Sequence, residues 1–287
     1  MAAKYNFAYE ATTNWNQLNP AFLSQHQVVL FLDTRPEAPA QRKAFEDFME
    51  HGGAWMGFHF AGFALTPSDY PQNWDWYHQK FLGSGEYLSN TWRPTSAVLR
   101  VEDSTHPATR NLPATFKSAP NEWYRWKNNL RANPDIKVLL SIDPASFPLG
   151  TGPKPNEIWH SGDYPVVWTN QKYKMIYLNM GHNDLDDNQH TNKELSFTLA
   201  NETQNQLIVD SLQWLGGRNY NDGQAGLHLY NYHRHSYNNG DLIQKTSPSA
   251  PGAIHTPFRY AVPPATKRRS QACPSSKSGT ASMDLYR

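Results

Sequence analysis

Cysteine is nearly absent: Cys273 is the only one in 287 residues, and it lies in a polar stretch near the C-terminus. A single thiol excludes an intramolecular disulfide and a thiolate metal cluster, and its polar setting argues against a cysteine nucleophile. An excess of one charge is lacking too. Lys+Arg 26 against Asp+Glu 25 leaves a formal charge of +1, so the chain offers no overall field for nucleic acid or an anionic membrane. No run is long and apolar enough to span a bilayer, and the first residues lack the apolar core of a signal peptide. The expectation is a soluble cytoplasmic chain, or a periplasmic or secreted one if an N-terminal signal is missing from this sequence. Its expected partner is a small neutral molecule, with no nucleic acid and no membrane, and with self-association left open.

Aromatic residues, by contrast, are abundant. Ten tryptophans and 15 tyrosines supply flat faces that suit sugars as readily as they fill cores. Many fall between Thr66 and Pro94, an irregular stretch holding Trp74, Trp76, Tyr77, Phe81, Tyr87 and Trp92. Two readings stand side by side for it: a sugar-stacking wall, or a satellite hydrophobic cluster under a long loop.

The rest of the chain is organised around GGAWMGFHFAG, Gly52 to Gly62. Ala54, Trp55, Met56 and Phe58 read as a buried strand that ends in a tight turn at His59. Small residues flank this histidine as they flank the central residue of a nucleophile elbow. Before it, QVVLFLD (Gln27 to Asp33) is a buried strand, and Ala44, Phe45, Phe48 and Met49 form one face of a helix with Pro36 in its first turn. Strand, amphipathic helix, strand is a βαβ unit. It predicts parallel strands with ligands outside their carboxyl ends, where His59 falls.

Further strands are expected at Ala97 to Val101, Ile136 to Ile142, Pro165 to Thr169 and Lys174 to Met180. The last runs into Gly181-His182-Asn183-Asp184 and repeats the strand, glycine, histidine order seen at His59. Between these strands, NEWYRW (Asn121 to Trp126) sets Glu122 among aromatics, where a carboxylate suits a metal ligand or a general acid/base, or else a plain salt bridge to Arg125 or Arg131. The proline- and glycine-rich stretch from Asp143 to Tyr164 reads as a binding loop, with Lys154, Glu157 and His160 able to reach a ligand. Asn201 to Gly217 predicts a helix opened by an Asn-x-x-Gln box, with Leu207, Ile208, Leu212 and Leu215 buried. Residues 218–287 lose all periodicity and read as a mostly disordered tail, leaving 1–217 as one α/β domain. The opening 25 residues contain no strong strand, so the chain is expected to begin partway into its fold.

GGAWMGFH, His106-Pro107 with Leu112-Pro113, EWY at Glu122 to Tyr124, and MIYLNMGH ending at His182 occur in an order that resembles the ThuA-like (trehalose utilisation) family over about Val28 to Gly217. The resemblance implies a flavodoxin-like, class I glutamine amidotransferase-like fold: a doubly wound, mostly parallel sheet, here without the usual first strand and its histidine-bearing loop. It also implies a role in disaccharide or keto-sugar metabolism. In the amidotransferases a cysteine occupies the elbow and a His-Pro-Glu motif completes the triad. Here His59 stands at the elbow and His182-Asn183-Asp184 replaces that motif, so covalent amidotransferase chemistry is not expected. Where family members carry a histidine after the glycine-rich turn near Gly83, this chain has Asn90-Thr91-Trp92. The expected catalytic set is therefore His59, Glu122, His182 and Asp184. Trp74, Trp76, Tyr77, Trp123, Tyr124 and His160 are the expected sugar contacts. His59, Glu122 and His182 serve either as acid and base or as a His2Glu site for a divalent ion such as zinc. A non-catalytic sugar-binding or scaffold protein that keeps the pocket is the competing expectation.

Overall fold

The computed structural model describes residues 1–64, 74–91, 94–146, 162–182 and 197–217, together with the backbone of 260–262. In chain order the strands are β1 (Glu10–Ala11), β2 (Val28–Leu32), β3 (Ala54–Phe58), β4 (Tyr87–Asn90), β5 (Val98–Val101), β6 (Thr115–Lys117), β7 (Tyr124–Trp126), β8 (Ile136–Ile142), β9 (Pro165–Asn170), β10 (Tyr173–Leu178) and β11 (Tyr260–Val262). Helices α1 (Ala2–Tyr5) and α2 (Pro20–Leu23) are single turns, while α3 (Pro39–Glu50) and α4 (Glu202–Leu215) are the long ones. Nine strands form one sheet in the order β1-β11-β2-β3-β10-β9-β8-β5-β6, and β4 pairs with β7 in a separate ribbon. From β1 to β10 neighbouring strands are parallel; from β10 to β6 they are antiparallel. The α/β expectation holds, with the parallel half carrying the predicted βαβ unit.

Alternation along β3 assigns the two faces of the sheet. Ala54, Met56 and Phe58 join Leu207, Ile208 and Leu212 of α4 in one apolar cluster, while Trp55 joins Phe45 and Met49 of α3 in the other. Period-two strands and period-3.6 helices thus meet on both sides, as a doubly wound sheet requires. Two local expectations change. Pro39 rather than Pro36 starts α3, with Ala38 as its extended N-cap. Asn201 caps α4 by accepting from the Thr203 and Gln204 amides, but the Gln204 side chain accepts from the Ala119 amide and donates to the Thr198 carbonyl instead of closing a capping box.

The region next to β2 bears on the expected missing first strand. β11, from the segment read as a tail, pairs in parallel with β2 through Tyr260↔Val28 and Ala261↔Val29, and β1 pairs with its far side. The remainder of 218–287 lies outside the described residues. No helix among the described residues is long and apolar enough to cross a membrane.

Candidate functional site

β2, β3 and β10 lie side by side in parallel, with Leu32 and Leu178 both opposite Phe58. The residue after each pairing therefore emerges at one carboxyl edge. Asp33 follows β2, His59 follows β3, and His182 lies four residues beyond Leu178. Among the described residues only Asn6, Asp33, His59 and His182 are non-glycines with positive φ, at 54°, 49°, 44° and 56°. A left-handed backbone costs an ordinary residue roughly 1 kcal/mol or more and tends to collect at functional sites. Gly181 explains part of the crowding, because a Cβ there would collide with His59 and come within 2.9 Å of Asp33 Oδ1.

Glu122 reaches this edge by a different route. Its amide donates to the Gly181 carbonyl at 3.0 Å. The next residues are clamped from both sides: Trp123 N–H donates to Thr91 Oγ1, and the Asn179 side chain accepts from Tyr124 N–H and donates to Tyr124 C=O. Glu122 Oε2 consequently lies between the two histidines, 3.2 Å from His59 Nε2 and 2.9 Å from His182 Nδ1. The other oxygen, Oε1, accepts from Asn90 Nδ2. His59 Nδ1 faces Asp33 Oδ1 at 3.2 Å, and the same oxygen accepts from the Phe60 amide. The imidazoles of His59 and His182 meet edge to face with centroids 6.2 Å apart, and the Tyr124 ring stacks on His59 at 4.0 Å.

Burial alone would pull the His59 pKa down, but hydrogen bonds and charges from Asp33 and Glu122 outweigh it and hold the ring up to about 9. Burial likewise pushes the Glu122 carboxyl up, and the two histidines overcome this to bring it to about 2. His59 is thus an imidazolium between two carboxylates, with 2% of its side chain exposed, whereas His182 exposes 22%. The signs set a pH window. His59 is raised from 6.5, so its contribution to stability is complete below about 6.5 and lost as pH climbs through about 9. Glu122 is lowered from 4.5, so its contribution is complete above about 4.5 and lost as pH falls toward about 2. The melting temperature should peak between those limits; a melting temperature still rising between pH 7 and 9 would contradict a buried imidazolium.

The predicted residues separate into two groups. His59, Glu122 and His182 come together, and Tyr124 adjoins them as a buried ring backing His59 rather than as an open sugar platform. Trp123 is fully buried, its indole N–H donating to the Thr95 carbonyl. Trp74, Trp76 and Tyr77 pack with α3 instead of the histidines: all three rings meet Phe45, and the Trp74 and Trp76 indoles donate to Glu46 and Glu50. The apolar-cluster reading therefore holds for them, because the π-helical turn Trp76–Phe81 carries its rings to the face covered by α3. Asp184, His160, Lys154 and Glu157 lie outside the described residues.

Neither does the geometry fit the expected His2Glu zinc site. Both ring nitrogens of His59 face carboxylate oxygens, Nδ1 toward Asp33 and Nε2 toward Glu122. Among the described residues no three His, Cys, Asp or Glu side chains are grouped to hold an ion. Sequence reasoning missed Asp33 and Asn90. Asp33 had a signal, since QVVLFLD ends an apolar strand on a polar residue just as the His59 strand does. Asn90 stands in the stretch already singled out for its departure from the family pattern.

The family model for ThuA, trehalose utilisation, matches residues 1–196. A ThuA-like protein from Bacteroides uniformis is 38% identical, with a TM-score of 0.60 over 71% of this chain and 75% of its own. A ThuA-like protein from Parabacteroides merdae is 17% identical, with a TM-score of 0.49 over 69% of this chain and 73% of its own. No curated protein matches the chain.

Proposed function

The chain belongs to the ThuA, or trehalose utilisation, family, and on that premise we propose that it processes a trehalose-like or keto-glycoside sugar by acid–base chemistry. The observation that carries the reading is the single oxygen, Glu122 Oε2, shared by a buried and a half-buried histidine. Hydrolysis of a glycoside needs a proton delivered to the leaving oxygen as water attacks the anomeric carbon. Isomerisation of a keto-sugar needs a proton taken from the carbon beside the carbonyl and returned to a neighbouring atom. Either reaction calls for a group that can both give and take a proton and is held in a fixed orientation. His182 is that group in our reading. Glu122 holds its Nδ1, so proton exchange falls to Nε2, in the manner of a histidine oriented by a carboxylate. His59 acts through Glu122: its fixed positive charge, anchored by Asp33, keeps the carboxylate ionised inside a low-dielectric site.

The burial of His59 favours a second reading, in which a locked polar network survives in a protein that binds sugar without turning it over. Hydrolysis and isomerisation assays on trehalose and on 3-keto-glycosides, run beside calorimetric binding, separate the two. Turnover that is lost on His182→Gln supports acid–base chemistry, while binding with no turnover leaves the second reading alone.

A further inference from the structure

The peptide group that follows His59 is gripped at both ends. Its carbonyl, on His59, accepts from the Tyr177 hydroxyl at 2.7 Å. Its amide, on Phe60, donates to Asp33 Oδ1 at 3.2 Å, the same oxygen that faces His59 Nδ1. The two grips come from either side of β3: Asp33 follows β2, and Tyr177 stands on β10 opposite Gly57. In a nucleophile elbow the amide after the central residue is left open as an oxyanion donor. Here a carboxylate occupies it, so this peptide serves to hold the turn.

Such holding matters because His59 has φ 44°, and relaxation of that left-handed backbone would swing the imidazole away from its carboxylates. Asp33 fixes only the amide end of the peptide. Tyr177 is suited to fix the other. It is fully buried, and its ring packs on Trp168 at 4.4 Å and on Trp126 at 5.8 Å. Burial pushes its pKa well above 10, so the hydroxyl keeps its proton and stays a donor. Gly62 leaves room for it: a Cβ there would lie 2.8–3.0 Å from the Tyr177 ring and hydroxyl. We propose that Tyr177 is a positioning residue of the site, its hydroxyl locking the His59–Phe60 peptide so that the His59 ring stays between Asp33 and Glu122, and Glu122 in turn stays on His182. The use of that position in catalysis rests on the acid–base reading above.

The test is imidazole titration by NMR on the full chain and three variants. Tyr177→Phe keeps the ring and removes one oxygen. Its His59 should lose its proton about one pH unit lower than in the unaltered chain, a tenfold weaker hold, because the Asp33 and Glu122 contacts are what raise it to about 9. Gly62→Ala, which crowds the same hydroxyl from the other side, should act in the same direction. Tyr77→Phe is the matched control: Tyr77 is also fully buried, and its hydroxyl has no hydrogen-bond partner among the described residues. It should leave the His59 titration in place. An unchanged titration in both Tyr177→Phe and Gly62→Ala would overturn the proposal, as would an equal fall in Tyr77→Phe, which would mark a general loosening of the core. In assays on a 3-keto-glycoside, Tyr177→Phe should lower kcat about tenfold or more with KM unchanged, as misplacement of a reacting group does. Failure of the acid–base reading is seen separately, as an unaltered chain without turnover in which Tyr177→Phe still shifts the His59 titration.

Discussion

Glu122→Gln should lower turnover of the glycoside substrate by about 10²–10⁴-fold, the usual contribution of a positioned acid or base. The substitution keeps shape and volume but removes the negative charge that His59 Nε2 and His182 Nδ1 share. Two consequences arise from that one atom. His182 loses the carboxylate that fixes its orientation, and His59 loses one of the two anions that hold it up to about 9. Imidazole titration by NMR should therefore show the His59 pKa falling toward or below its ordinary 6.5, because burial is then opposed by Asp33 alone. This readout does not depend on finding the substrate. A His59 that titrates unchanged in the variant would refute the shared-carboxylate network, and full turnover would refute its catalytic use.

Trp74→Ala should cost about 3–5 kcal/mol of stability, as large-to-small changes of buried aromatics do. The indole is 6% exposed, stacks on Tyr77 at 4.7 Å and 10°, and meets Phe45 edge-on at 5.9 Å. Arg42 lies 5.3 Å over the same ring, and the indole N–H donates to Glu46, so both α3 partners lose a contact. Denaturant unfolding gives the cost directly. A sugar platform would behave in the opposite way, with weakened binding and a nearly unchanged midpoint, and that result would return Trp74 to the site.

Much of this architecture is legible in one dimension because it depends on local pattern. An apolar run between turn residues is a strand wherever it occurs, and α3 and α4 declare themselves by their buried stripes. The two histidines were readable for the same reason: each follows an apolar strand closely, and parallel neighbours place such ends on one edge. Even their proximity followed from that rule, with the rings 6.2 Å apart.

Glu122 shows where local pattern stops. Nothing around it in sequence specifies the Gly181 carbonyl, the Asn179 clamp or the Thr91 hydroxyl that carry it between the histidines. The same limit applies to the rings near Trp74, where composition suits a sugar as well as it suits Phe45. The sequence alone determined the α/β class, the elbow at His59 and its counterpart at His182, since spacing and side-chain type settle these within a few residues. Folding in three dimensions brings Asp33 and Asn90 into the network, sets both His59 ring nitrogens against carboxylates, and turns the Trp74 cluster toward α3. Hydrogen bonds, burial and charge act across space between segments far apart in the chain, and the field at one imidazole is the sum of all that surrounds it.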